Sequence, residues 1–129
     1  MMNKPTVAIL GASTDRSKFG NKAVRAFLEQ GFDVYPINPK ATEIEGVQSY
    51  ACLADVPVKL IDRISVYLPP KVGLPLLEEI AKAGAGEVWF NPGTTSDELL
   101  AKAESLGINV VQACSIVGIG MSPHSLSDA

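Results

Sequence analysis

The stretch Thr6-Val7-Ala8-Ile9-Leu10-Gly11-Ala12-Ser13 decides how this chain is read. An apolar run carrying β-branched Val7 and Ile9 breaks at a glycine, small polar residues follow, and a helical pattern begins one loop later. Glycine lets the backbone turn tightly and lets a ligand approach the main chain. The next helix offers unpaired N–H groups and the positive end of its dipole, which together favour an anion. A strand that ends this way predicts a ligand of nucleotide type, with Gly11, Ala12 and Ser13 around its phosphates.

Outward from this stretch, strands alternate with helices. Val7 to Leu10 is the first strand, and Val24, Phe27 and Leu28 mark one face of a helix over about 21–30 that stops at Gly31. Val34 to Ile37 is the second strand. The segment Asn38 to Pro57 reads as irregular, with Gly46 in a turn and one helical turn near Leu53. Ile64 to Leu68 is the third strand, and Leu76, Leu77, Ile80 and Ala81 mark a helix that Gly84 stops. Glu87 to Phe90 is the fourth strand. Thr95 and Glu98 have capping-box spacing ahead of a helix carrying Leu99, Ala103 and Leu106, and Ile108 to Val111 is the fifth strand. Apolar strands joined through helices describe an α/β fold with a parallel sheet covered on both faces. The expectation is one Rossmann-like, three-layer domain over 1–129, with a core of about 6–117 and a short tail over 118–129.

Composition narrows the function. A chain of 129 residues has the length of one domain, and 47% apolar residues supply a sizeable core. A net charge of −3 leaves no basic stripe for a nucleic-acid backbone. No apolar run approaches the roughly 20 residues of a membrane span, and no signal pattern opens the chain, so a cytoplasmic location is expected. Cys52 and Cys114 are isolated, without the spacing of a zinc site or a disulfide framework.

In such sheets ligands bind at the carboxyl ends of the strands, where the strand order reverses. This chain places Gly11-Ala12-Ser13, Asn38-Pro39-Lys40, Pro69-Pro70 and Asn91-Pro92-Gly93 at those ends. A dinucleotide cofactor fits poorly. After Gly11 the next glycine is Gly20, too distant for a GxGxxG loop, and the second strand ends in Asn38 where an acidic residue would hold the ribose. Lys40 instead suits a phosphate on the adenosine ribose, as in NADP or coenzyme A (CoA), while Arg16 and Lys18 add charge near a pyrophosphate.

Taken together, Gly11-Ala12-Ser13, Ile37-Asn38-Pro39, Tyr67-Leu68-Pro69-Pro70 and the Trp89 strand leading to Gly93 resemble the small stand-alone CoA-binding proteins. These are similar to the N-terminal CoA-binding domain of the succinyl-CoA synthetase α subunit. The resemblance runs from Val7 to about Val117. It implies a five-stranded parallel sheet in the order 3-2-1-4-5 that holds the ADP part of CoA across its C-terminal edge. Position by position, it implies that Gly11, Ala12, Ser13 and Thr14 wrap the phosphates and that Lys40 lies close to a nucleotide-contacting lysine. Pro69 and Pro70 match a proline turn beside the adenine, and Asn91, Pro92 and Gly93 match a glycine turn. The chain departs from the family at Ala113-Cys114-Ser115, which stands where an Arg-Cys pair is usual, and in its apolar Ile116 to Met121 end.

Candidate catalytic residues are few. His124 is the one histidine and lies in a polar tail, and the synthetase's phosphorylated histidine belongs to a second domain. No convergent metal-ligand set emerges. Cys114, after the fifth strand, is placed to face the crevice, where a thiol can form a mixed disulfide with CoA, or else to pack as a small apolar residue. Tyr67 and Trp89 read as packing residues. The expected function is a non-catalytic module that binds CoA or an acyl-CoA as carrier, sensor or protein partner. The alternatives are a small NADP- or other nucleotide-dependent enzyme and a ligand-free interaction domain. A homo-oligomer or protein partner meeting the Ile116 to Met121 end is also left open.

Overall fold

Thr6–Leu10 forms β1 and is buried from Val7 onward, as an apolar strand covered on both faces must be. In the computed structural model, which describes residues 4–129, the chain continues through α1 (Phe19–Glu29) and β2 (Asp33–Ile37). A short ribbon of β3 (Glu43–Ile44) and β4 (Val47–Gln48) follows. A 3-10 turn at Leu53–Asp55 leads to β5 (Arg63–Val66), and α2 (Pro70–Gly73) opens on a proline at its first position. Next come α3 (Leu77–Ala83), β6 (Glu87–Phe90), α4 (Asp97–Ser105), β7 (Val110–Gln112) and α5 (Ser115–Gly118). Gly31, Gly84 and Gly107 follow their helices with positive φ, the left-handed exit that glycine permits.

Five of the strands form one parallel sheet in the order β2-β1-β5-β6-β7. The expected Rossmann-like α/β architecture is present. The strand order is a correction: counting the sheet's strands along the chain, it is 2-1-3-4-5 and not 3-2-1-4-5. The third strand pairs with the free side of β1, leaving β2 at the edge. Pro36 explains this, because proline has no N–H to donate to an outer neighbour. Its carbonyl, which faces outward, is taken by the Tyr50 amide at 2.9 Å and the Ser49 hydroxyl at 3.2 Å. Tyr50 thus occupies the rim where another strand would dock.

The core divides by sheet face. Alternate strand residues Ala8, Leu10, Ile64, Val66, Val88 and Phe90 pack with Leu77 and Ile80 of α3 and Leu99 and Ala103 of α4. Val7, Ile9 and Val34 point the other way, onto Ala23, Val24 and Phe27 of α1 and Ile116 of α5. The C-terminal end joins this second layer. Leu126 is buried, and Ile119 and Met121 pack against the same cluster, so of the Ile116 to Met121 segment it is Val117 that exposes a large apolar side chain. Among the described residues no helix is long and apolar enough to cross a membrane.

The reversal of strand order falls between β1 and β5, which directs the crevice to the loops that follow them.

Candidate functional site

Two glycines bring the first loop and α1 together. Gly11 turns with φ +88°, and a Cβ there would lie 2.8 Å from the Tyr67 carbonyl oxygen. Gly20, in the first turn of α1, is packed so tightly that a Cβ would come within 2.1 Å of the Gly11 carbonyl oxygen. The helix therefore starts directly against the end of the strand. The amides of Phe19 and Gly20, too early in the helix for an internal partner, have no hydrogen-bond partner among the described residues.

Between the glycines, local bonds shape the loop. The Ser13 hydroxyl accepts from the Asp15 amide at 3.0 Å, and the Asp15 carboxylate accepts from the Ser17 amide and hydroxyl at 3.0 and 2.7 Å. The Ser17 bonds hold the Asp15 carboxyl below its ordinary value, because hydrogen bonds to an ionised group favour it.

The loops after the sheet strands enclose a cavity of about 900 Å³, at the upper end of the range for small-molecule sites. Nine residues expected at a site line it. Gly11, Ala12, Ser13 and Lys18 come from the first loop; Asn38 follows β2, Pro69 follows β5, and Asn91, Pro92 and Gly93 follow β6. Lys18 is the one charged side chain of this lining. Thr14, Arg16, Pro39, Lys40 and Pro70 lie outside it. Arg16 is paired with Glu45 at 3.4 Å, Thr14, Pro39 and Lys40 are exposed, and Pro70 begins α2.

Both asparagines turn their side chains inward to the scaffold. The Asn38 carboxamide donates to the Ala12 carbonyl at 2.9 Å and accepts from the Lys40 and Ala41 amides at 2.8 and 2.9 Å, tying the first loop to the second. Asn91, 3% exposed, donates to the Ser65 hydroxyl and the Val66 carbonyl at 3.0 and 2.9 Å and accepts from the Ser115 amide at 2.7 Å. The hydroxyls of Ser65 and Ser115 meet at 2.7 Å. This buried polar chain fixes the turn before Pro92 and Gly93 against α5.

The cavity lining also includes Phe19, Gly20, Tyr67 and Cys114. Phe19 is 55% exposed at the rim. Cys114 is half-buried, and so reaches the crevice. Tyr67 packs against the core cluster on the α1 side, as expected, and also lines the cavity. Its hydroxyl is buried with no hydrogen-bond partner among the described residues, and burial pushes its pKa well above the ordinary value. Gly20 had a readable signal, since a small residue opening a helix nine positions after a turn glycine serves close helix–strand packing as a tighter glycine pair does. His124 is exposed and outside the cavity lining, and no group of three or more metal-ligating side chains is found among the described residues.

The sequence pattern of the CoA binding domain family matches residues 5–119. The chain belongs to that family. It is 29% identical over 134 residues to the α subunit of ADP-forming acetate–CoA ligase II from Pyrococcus furiosus, an alignment covering 95% of this chain and 29% of that protein. It is 35% identical over 90 residues to the ADP-forming acetate–CoA ligase of Methanocaldococcus jannaschii, covering 68% of this chain and 12% of that one. The chain thus spans less than a third of these curated relatives. Among solved structures, a conserved hypothetical protein from Pyrococcus furiosus matches with a TM-score of 0.80 at 35% identity, covering 88% of this chain and 98% of that one. The dinucleotide-forming acetyl-coenzyme A synthetase 1 of Ca. Korarchaeum cryptofilum, solved with phosphate and ADP, matches with a TM-score of 0.71 at 31% identity, over 85% of this chain and 26% of that one.

Proposed function

We propose that this CoA-binding-domain chain holds CoA or an acyl-CoA in the cavity above the sheet and acts as a non-catalytic carrier or sensor. The observation that carries the reading is the joint between β1 and α1. At the cavity wall beside Lys18, the Phe19 and Gly20 amides have no partner among the described residues, and such a helix start favours a diphosphate. Leu68 and Pro69 supply an apolar wall for the adenine. Lys40, exposed just outside the lining, supplies outlying positive charge for the ribose phosphate. The Gly93 turn and Cys114 flank the remaining path, which suits the pantetheine arm.

A neutral carboxamide at the end of β2, already committed to Ala12, Lys40 and Ala41, offers no acceptor for a ribose hydroxyl of NAD. CoA therefore fits better than NAD. Purified protein titrated with CoA, acetyl-CoA, NAD, NADP and ATP tests this by thermal unfolding, because a ligand of the folded state raises the melting temperature by mass action. CoA or acetyl-CoA is expected to raise it, with no rise from NADP. A response to NADP alone supports the small nucleotide-dependent enzyme, and no response to any ligand supports an interaction domain.

A further inference from the structure

We propose that Glu45, far from the first loop in sequence, is a positioning residue that holds residues 13–18 in the shape that receives a ligand's phosphates; this rests on the CoA reading of the cavity. Four residues close a ring. The Arg16 guanidinium pairs with the Glu45 carboxylate at 3.4 Å, and that carboxylate accepts from the Asn21 carboxamide at 3.0 Å. The Asn21 oxygen accepts from Arg25 Nε at 2.8 Å, and Arg25 Nη2 returns to the Arg16 carbonyl at 2.9 Å. Asn21 is fully buried and uses its second N–H on the Ser13 carbonyl at 2.9 Å. The ring thereby grips the loop at both Ser13 and Arg16, from α1 on one side and the β3–β4 ribbon on the other.

The residue type at position 45 fits this role and no local one. Glu45 and Gly46 form the two-residue turn of the ribbon, and Glu45 has φ +52°, the only non-glycine residue with positive φ among the described residues. Two-residue hairpin turns favour Asn or Gly in this conformation, so the ribbon alone would be better served by asparagine. Glutamate has the extra methylene that carries a carboxylate to Asn21 and Arg16. Arg16 is 43% exposed, and exposed ion pairs contribute little to global stability. The ring's effect is local order in the loop.

The test compares wild type, Glu45→Asn and Glu45→Gln by calorimetric CoA titration, urea midpoint and hydrogen exchange of the 13–18 amides. Glu45→Asn suits the turn but cannot complete the ring. It is expected to bind CoA about tenfold more weakly and to exchange faster across 13–18, with its urea midpoint close to that of wild type, because the relieved turn offsets the N–H partner that Asn21 loses. Glu45→Gln retains an acceptor for Asn21 and should recover part of the affinity. A merely structural residue would lose affinity and midpoint together. Glu45→Asn binding within about twofold of wild type, or unchanged exchange across 13–18, overturns the proposal. If wild type itself ignores CoA, the ligand reading fails, and the exchange comparison on unliganded protein still decides whether Glu45 orders the loop.

Discussion

In an ordinary helix, replacing glycine by alanine stabilises the protein by up to about 1 kcal/mol; at position 20 the opposite sign is expected. The added Cβ would meet the Gly11 carbonyl at 2.1 Å, and that neighbour is backbone. Overpacking costs about 1–3 kcal/mol, which exceeds the propensity gain, so Gly20→Ala should lower the urea midpoint. A raised midpoint would show that α1 can retreat from the strand. The two asparagines show where residue-level reading stops. Their positions at strand ends are legible in the sequence, because Asn favours turns. Their engagement with Ala12, Lys40 and Ala41, or with Ser65, Val66 and Ser115, depends on loops that meet in three dimensions only.

At the level of elements, helix α4 separates two readings of its cap. Thr95 and Glu98 have capping-box spacing, yet Ser96 is the N-cap, accepting from the Leu99 amide at 3.1 Å. Ser96→Ala should therefore cost about 1 kcal/mol in denaturant unfolding and Thr95→Ala much less. Equal losses would contradict this cap. Two adjacent hydroxyl residues made the register ambiguous by one. The β3–β4 ribbon was hidden because Glu45 is a poor turn signal, its conformation being held by α1 and the first loop. The edge position of β2 was legible in Pro36, a proline within a strand run; the order implied by resemblance overrode that local signal. Elements with full apolar faces, such as α1 and β6, needed no such context, and the sequence places them within two residues of the observed limits.

For the molecule as a whole, Tyr67 couples stability to alkaline pH. Burial raises its hydroxyl above the ordinary 10.0, so the folded chain keeps this proton where the unfolded chain has shed it. The corresponding stabilisation is complete below about pH 10 and is lost as pH rises further. Tyr67→Phe removes a hydroxyl that has no partner among the described residues, so its stability at neutral pH should stay within about 1 kcal/mol of wild type. Its urea midpoint should fall less than that of wild type between about pH 8 and pH 11, and parallel declines would refute the assignment. Pro36 has a wider consequence. One border of the sheet lacks a donor there and has its outward carbonyl capped by Tyr50 and Ser49, while the opposite border is a strand of three residues. Neither gives a foreign chain a long ladder to copy, so the fold carries its own protection against intermolecular strand addition and fibre growth.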